Sequence, residues 1–190
     1  TMPLLRAKEL GTIIGLARVD AVLCAADLRA ELDMACQGAE APPRVLSFND
    51  TGPGSLEQLM AAMPARFEPV DTWAEDVCLL SFTSGTTGRP KGTMHFHRDV
   101  LAICDCFPRS VLATGPADVF IGTPPLAFTF GLGGLLLFPL RVGAAGVLLE
   151  KLTPETLLAS IEKYRATICF TAPTFYRQMA PLAAKYDLSS

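Results

Sequence analysis

One short polar segment has residue types that suit the binding of an anion. It carries four hydroxyl side chains, three glycines and one lysine, and it follows an apolar run. Its residues are Thr83, Ser84, Gly85, Thr86, Thr87, Gly88, Arg89, Pro90, Lys91 and Gly92. Glycine lets backbone N–H groups approach a ligand, hydroxyls add donors, and Lys91 supplies a compact positive charge. The segment is therefore predicted to bind a polyphosphate.

Two common phosphate motifs do not fit this segment. A Walker A loop requires Gly-Lys followed by Ser or Thr, whereas Pro90 precedes the lysine here and Gly92 follows it. A dinucleotide-binding Gly-x-Gly-x-x-Gly after a strand is also lacking from the sequence. The alternative to a phosphate-binding loop is a surface turn rich in glycine and threonine that has no ligand. The four hydroxyls together with the lysine disfavour this alternative.

The elements that must position this segment alternate between strands and helices. Apolar β-rich runs predict strands at 21–24, 44–48, 77–82, 119–122, 145–149 and 167–171. Helices are predicted at 4–17, 27–36, 55–62, 98–107, 132–140, 154–164 and 173–185. Because most of the strands lack polar alternation, we expect an α/β fold with a layered, mostly parallel sheet and flanking helices.

Composition narrows the class of protein. The 190 residues are 50% hydrophobic and 18% charged with a net charge of −3, which excludes disordered and collagen-like chains and disfavours nucleic-acid binding. The six cysteines form no Cys-x-x-Cys pair and are predicted to be buried thiols of a reducing compartment. With no signal peptide evident, the predicted location is cytoplasmic. Residues 61–76 are predicted to be a surface connection that could separate two subdomains.

Two further features of the sequence, an apolar stretch and a group of histidines and cysteines, suggest functions that their local chemistry disfavours. The apolar stretch 125–149 is long enough to cross a bilayer, but Arg141, Pro139 and several glycines interrupt it, so no membrane span is expected. His95, His97, Cys104 and Cys106 suggest a metal site. However, residues two apart on a helix point in nearly opposite directions, so Cys104 and Cys106 cannot both face one ion, and no metal site is predicted.

At every position, residues 83–92 resemble the phosphate-loop signature of the adenylate-forming superfamily, which includes acyl-CoA synthetases, nonribosomal adenylation domains and luciferases. Residues 124–133 resemble the aromatic-glycine motif that lines the carboxylate pocket in that superfamily. Residues 170–176 resemble the strand-to-helix corner that follows. His95, His97 and the Phe-Gly-Leu-Gly block look most like the benzoate and aminobenzoate CoA ligase branch.

The resemblance implies a site and its substrates. Lys91 would be catalytic, and the phosphates of ATP would be held by Thr83, Ser84, Gly85, Thr86, Thr87, Gly88 and Lys91. Thr129, Phe130 and Gly131 would lie at the acid, although a core role for Phe130 stays open. Mg²⁺ would have its protein ligand outside this chain, and CoA would be the co-substrate. His97 would be structural, and His95 would lie near the nucleotide.

The resemblance also implies that the 190 residues are only part of a family member. The family's Tyr-Gly-x-Thr-Glu block, ribose-binding Asp, hinge and C-terminal lysine do not occur here. We therefore expect residues 1–190 to be a fragment of the AMP-binding N-terminal domain, without the small C-terminal domain and inactive alone. Two alternatives stay open: an adenylation domain that loads a carrier-protein thiol, and a non-catalytic nucleotide- or anion-binding module. Apolar faces left uncovered would favour a homo-oligomer.

Overall fold

The computed structural model describes residues 1–39, 41–84 and 90–190, with Ser84 described by its backbone alone. Contacts divide the chain into two units, Thr1–Phe96 and His97–Ser190. Residues 62–76 are exposed and lie outside helices and strands, within the first unit. The division into units falls after Phe96, and a boundary function for the 61–76 connection stays a prediction.

The first unit begins with helices and a two-stranded parallel sheet. Its elements are α1 (Ala7–Ala17), β1 (Ala21–Ala25), a 3-10 turn (Ala26–Leu28), α2 (Arg29–Cys36), β2 (Arg44–Phe48) and α3 (Leu56–Ala61). Strands β1 and β2 pair in parallel from Ala21 opposite Arg44. Glu31 of α2 accepts a hydrogen bond from the Ala7 N–H at 2.8 Å, which satisfies a free donor at the start of α1.

A β-hairpin completes the first unit. Strand β3 (Val77–Ser84) pairs antiparallel with β4 (Pro90–Phe96). The β3 run was predicted, but β4 was not, because a strand that begins with proline and carries lysine and histidine has weak local strand signals. This hairpin is the exception in a fold whose other described sheets are parallel.

The second unit is built on a three-stranded parallel sheet. Strand β5 (Val119–Gly122) lies between β6 (Ala145–Val147) and β7 (Ile168–Phe170). Around it lie α4 (His97–Phe107), a π-helical turn (Pro108–Leu112), α7 (Pro154–Tyr164), α8 (Pro173–Met179) and a 3-10 segment (Ala180–Lys185). The described parts of the chain thus confirm the α/β class with mostly parallel pairing.

Helix α7 shows why these elements form where they do. Thr153 accepts a hydrogen bond from the Thr156 N–H at 3.1 Å, and Pro154 occupies the first turn, where no N–H is needed. Its apolar face then enters the core. The core cluster comprises Ile121, Leu157, Leu158, Ile161, Ala166 and Met179.

The glycine-rich segment after β5 is one helical stretch of three parts rather than the single helix predicted at 132–140. It consists of α5 (Thr129–Leu132), a π-helical turn (Gly133–Leu137) and α6 (Phe138–Val142). The wider π turn stands directly before α6, whose second residue is Pro139. Proline cannot donate to the helical ladder, so the break in regular α geometry coincides with a place where a bond is lost anyway.

The cysteine prediction is partly wrong. All six cysteines are free thiols, but Cys104 alone is fully buried, while Cys78 and Cys106 are exposed. Cys78 lies on the hairpin, most of whose described residues are exposed, and Cys106 lies on the side of α4 opposite Cys104. Within the described part of the chain, no helix is long and apolar enough to cross a membrane.

Candidate functional site

The ends of the predicted phosphate loop are held by the β3–β4 hairpin. Thr83 lies directly opposite Lys91, and Ser84 lies opposite Pro90. The paired ends of the two strands therefore flank the loop. The side chains of Thr83 and Lys91 are exposed. Gly85, Thr86, Thr87, Gly88 and Arg89 lie outside the described residues. The structure therefore brings together the first residue of the predicted loop and its lysine.

One face of the hairpin carries a group of polar residues, and we call this group the hairpin face. It consists of Ser81 and Thr83 on β3 and Lys91, Thr93 and His95 on β4, while Leu79 lies opposite His95 at its far end. Side chains alternate along a strand, so Lys91, Thr93 and His95 point to the same side. The Phe82 ring lies on the opposite side, where a Cβ on Gly92 would come within 3.2 Å of it.

Ser81 and Thr93 belong to the hairpin face but were not predicted as site residues from the sequence. The Thr93 hydroxyl donates to the Ser81 carbonyl oxygen at 3.1 Å and lies 3.1 Å from Nε2 of His95. Because the one hydroxyl proton goes to Ser81, His95 Nε2 is the donor of the second bond. The polar–apolar alternation from Lys91 to Phe96 is the sequence signal that could have revealed this strand.

The predicted acid-binding residues lie in the second unit, on the first turn of α5. Thr129 and Phe130 are exposed, with half of the Phe130 side chain accessible, whereas Gly131 is buried. A Cβ on Gly131 would overlap the carbonyl oxygens of Pro124 and Pro125. Only glycine lets the helix approach the chain that leaves β5 this closely, and this packing fixes where Phe130 stands.

Phe130 also belongs to a cluster of aromatic rings. Its ring meets the ring of Phe170 edge-on, with centroids 5.6 Å apart and an interplanar angle of 67°. The ring is thus packed on one side and open on the other. Phe130 contacts the core through Phe170 and also presents accessible aromatic surface, and its role at the acid stays a prediction.

The carboxyl ends of β5 and β7 are joined beside this cluster. The Thr123 N–H donates to the Phe170 carbonyl oxygen at 3.0 Å, and the hydroxyls of Thr123 and Thr171 are 2.6 Å apart. In open parallel sheets, ligands bind outside the carboxyl ends of the strands. The aromatic residues therefore stand at the edge of the sheet where a small-molecule site is expected.

The thiols near the core carry no sign of activation. Burial raises the pKa of Cys104 and of Cys169, which keeps both as neutral thiols at physiological pH. Burial, together with the neighbouring Cys169, raises the pKa of Tyr176 to about 12. The Tyr176 hydroxyl donates to the Cys169 carbonyl oxygen at 2.6 Å. These groups stabilise the fold rather than supply a nucleophile or a base.

Metal ligands are not grouped in the part of the chain that the structure describes, since no three His, Cys, Asp or Glu residues there could hold one ion. Cys104 is buried and Cys106 exposed, as expected for residues two apart on α4. The described residues therefore provide a cation, hydroxyl donors and aromatic surface, but no carboxylate cluster for Mg²⁺.

Fold and site thus define an α/β protein with a lysine-bearing glycine-hydroxyl segment between paired strands. The family model of AMP-binding enzymes matches residues 1–190. The chain belongs to the AMP-binding enzyme family, as the resemblance of residues 83–92 predicted.

The chain is similar to curated relatives and to solved structures that are named as CoA ligases of aromatic acids. A benzoate–CoA ligase of Thauera aromatica is 36% identical over 129 residues, 67% of this chain and 24% of the relative. An anthranilate–CoA ligase of Pseudomonas aeruginosa is 36% identical over 107 residues, 56% of this chain and 21% of the relative. The crystal structure of the anthranilate CoA ligase AuaEII with anthranoyl-AMP matches 100% of this chain and 38% of its own, with a TM-score of 0.88 and 28% identity.

These comparisons confirm the resemblance to acyl-CoA synthetases and its aryl-acid branch. They also show that the matched region is only part of each relative. The aligned region covers 24% and 21% of the two curated ligases.

Proposed function

We propose that the protein that carries this chain is an AMP-forming acid–CoA ligase that acts on an aromatic carboxylic acid. The observation that carries the proposal is the pairing of Thr83 with Lys91 at the base of a segment that matches the family's phosphate-loop pattern throughout. The named relatives at 36% identity support an aryl acid such as benzoate or 2-aminobenzoate.

The proposed reaction has two steps. A carboxylate oxygen attacks the α-phosphorus of ATP, the bond to the bridging oxygen breaks, and pyrophosphate leaves with the electron pair. The thiol sulfur of CoA then attacks the acyl carbon, the thiol proton is lost, and AMP leaves. The products are a thioester, AMP and pyrophosphate.

The chain's contribution to the first step is electrostatic. Thr83, Ser84, Thr86, Thr87 and the Lys91 ammonium would hold the β- and γ-phosphates, with Gly85 and Gly88 allowing the backbone to approach. Negative charge grows on the departing pyrophosphate, so a fixed cation beside it lowers the barrier. Mg²⁺ would assist from ligands outside this chain.

The chain's contribution to acid binding is shape. Phe130 offers a flat apolar surface suited to an aromatic ring, Thr129 stands next to it, and Gly131 anchors the turn against the proline carbonyls. Phe130 has no hydrogen-bonding group, so the carboxylate must be oriented by other residues. Half of the Phe130 side chain is accessible, which supports this assignment.

The test uses the complete protein that carries this sequence. We expect ATP–pyrophosphate exchange that depends on benzoate or 2-aminobenzoate, followed by thioester formation with CoA. Exchange with acyl transfer only to a pantetheinylated carrier protein would assign the second step to an adenylation domain. Nucleotide binding without exchange would overturn the ligase proposal in favour of a binding module.

Because the aligned region covers about a quarter of the benzoate–CoA ligase, we propose that residues 1–190 alone do not catalyse the reaction. Acid-dependent exchange by the 190-residue chain would contradict this. Exposed apolar side chains, among them Phe67, Val70 and Trp73, support self-association of the isolated chain. Light scattering that shows a monomer over a wide concentration range would contradict it.

A further inference from the structure

Phe170 is the ring around which the aromatic cluster is arranged. It meets Phe130 edge-on, stacks against the fully buried Phe120 with centroids 6.2 Å apart at 10°, and lies 6.1 Å from Phe138. Of these neighbours, Phe130 is the one that reaches the exposed surface, with half of its side chain accessible. Phe170 therefore connects the interior of the second unit to the predicted acid-binding residue.

The position of the Phe170 ring is fixed by close packing. A Cβ on Gly134 would lie 2.7 Å from atoms of the ring, so the π-helical turn contacts it directly. A Cβ on Gly122 would overlap the Phe170 carbonyl oxygen, which accepts the Thr123 N–H at 3.0 Å. Backbone and ring are held from several sides, and little freedom remains for this side chain.

We propose that Phe170 is a positioning residue that sets the orientation of Phe130, and through it the affinity for the aromatic acid, without contacting that acid. The proposal rests on the function proposed above. An edge-to-face pair constrains both the distance and the tilt of the two rings. Loss of the Phe170 ring would leave Phe130 free to change rotamer, while the remainder of the turn stays anchored at Gly131.

The decisive comparison is Phe170→Leu against Phe138→Leu in the complete protein. Each variant removes one ring from the cluster, but Phe138 has no ring contact with Phe130 among the described aromatic pairs. We expect Phe170→Leu to raise the KM for the acid about fivefold, equivalent to about 1 kcal/mol, with the KM for ATP unchanged. Phe138→Leu should change neither KM by more than about twofold. Phe170→Tyr, which keeps an aromatic ring at this position, should keep the acid KM of the unmodified protein.

Equal changes in acid KM for Phe170→Leu and Phe138→Leu would overturn the proposal, because general loosening of the core would then explain both. A second measurement does not require activity. With 4-fluorophenylalanine at position 130, we expect the ¹⁹F resonance to shift in Phe170→Leu and not in Phe138→Leu. An unshifted resonance in Phe170→Leu rejects the positioning role. Absence of exchange in the unmodified protein rejects the proposed function instead.

Discussion

Thr83 and Lys91 face each other across the antiparallel pair of β3 and β4, one on each side of the loop between them. This pairing places the backbones of the first hydroxyl residue of the predicted phosphate site and of its lysine side by side, through strand pairing rather than through side-chain contacts. The lysine can therefore be removed without disturbing the framework that carries it.

Lys91→Ala should abolish most of the activity and leave the fold unchanged, because the Lys91 side chain is exposed. Loss of a charge that stabilises a transition state costs about 10²- to 10³-fold in rate. Acid-dependent pyrophosphate exchange by the complete protein measures the effect. The matched control is Lys151→Ala, at an exposed lysine in the second unit. If Lys91→Ala lost no more activity than this control, Lys91 would have no catalytic role.

Gly131→Ala should destabilise the second unit, because the new methyl group would overlap the carbonyl oxygens of Pro124 and Pro125. Overpacking of this kind costs about 1–3 kcal/mol. Gly15→Ala is the matched change in α1, where a Cβ meets nothing within 4 Å, and it should raise stability by about 0.5–1 kcal/mol. Urea unfolding measures both. The explanation fails if the two substitutions change stability in the same direction.

The ion pair between Asp105 of α4 and Arg141 of α6 should make the free energy of unfolding depend on pH. Arg141 donates two hydrogen bonds to Asp105, at 2.9 and 3.0 Å, and these bonds lower the pKa of that carboxyl. A lowered folded-state pKa contributes stability above the unfolded value of about 3.9, and this contribution is lost as the pH falls through the folded value.

Asp105→Asn should therefore lower the urea midpoint at neutral pH, and its difference from the unmodified protein should shrink below about pH 4. Asp71→Asn, at an exposed aspartate in the segment 62–76, is the control and should show no such convergence. A difference for Asp105→Asn that stays constant down to pH 2 would contradict the assignment to this ion pair.

Tyr176 should weaken the fold at high pH. Burial raises its pKa to about 12, and a folded-state pKa above the unfolded value of about 10 contributes stability that is lost as the pH rises from 10 to 12. Tyr176→Phe removes this dependence along with the bond to the Cys169 carbonyl. The difference in urea midpoint between the two proteins should be largest below pH 10. A pH-independent difference would point to packing alone.

The elements that sequence patterns predict well are those with strong local signals. The bounds of β2, β5 and α7 agree with the predictions at 44–48, 119–122 and 154–164. The two strands are short and rich in apolar residues, and α7 has a threonine cap followed by proline. Local sequence chemistry is therefore sufficient to specify these elements.

The parts that escaped prediction depend on pairing and packing partners more than on local sequence signals. Strand β4 carries only a weak local signal, the polar–apolar alternation from Lys91 to Phe96, and it forms by pairing with β3. The contact between Phe130 and Phe170 needs a parallel crossover that brings β7 beside β5. Residue types identified the candidate site, but they could not show which core ring holds Phe130.

The π-helical turn Gly133–Leu137 makes the length of this helix as important as its composition. Such a turn is equivalent to one extra residue in an α-helix, and each residue turns the helix by about 100°. Deleting one residue there would rotate α6 and carry Arg141 away from Asp105. In a library of single-residue deletions selected for folded protein, we therefore expect deletions within this turn to be lost and deletions in the exposed segment 62–76 to be retained.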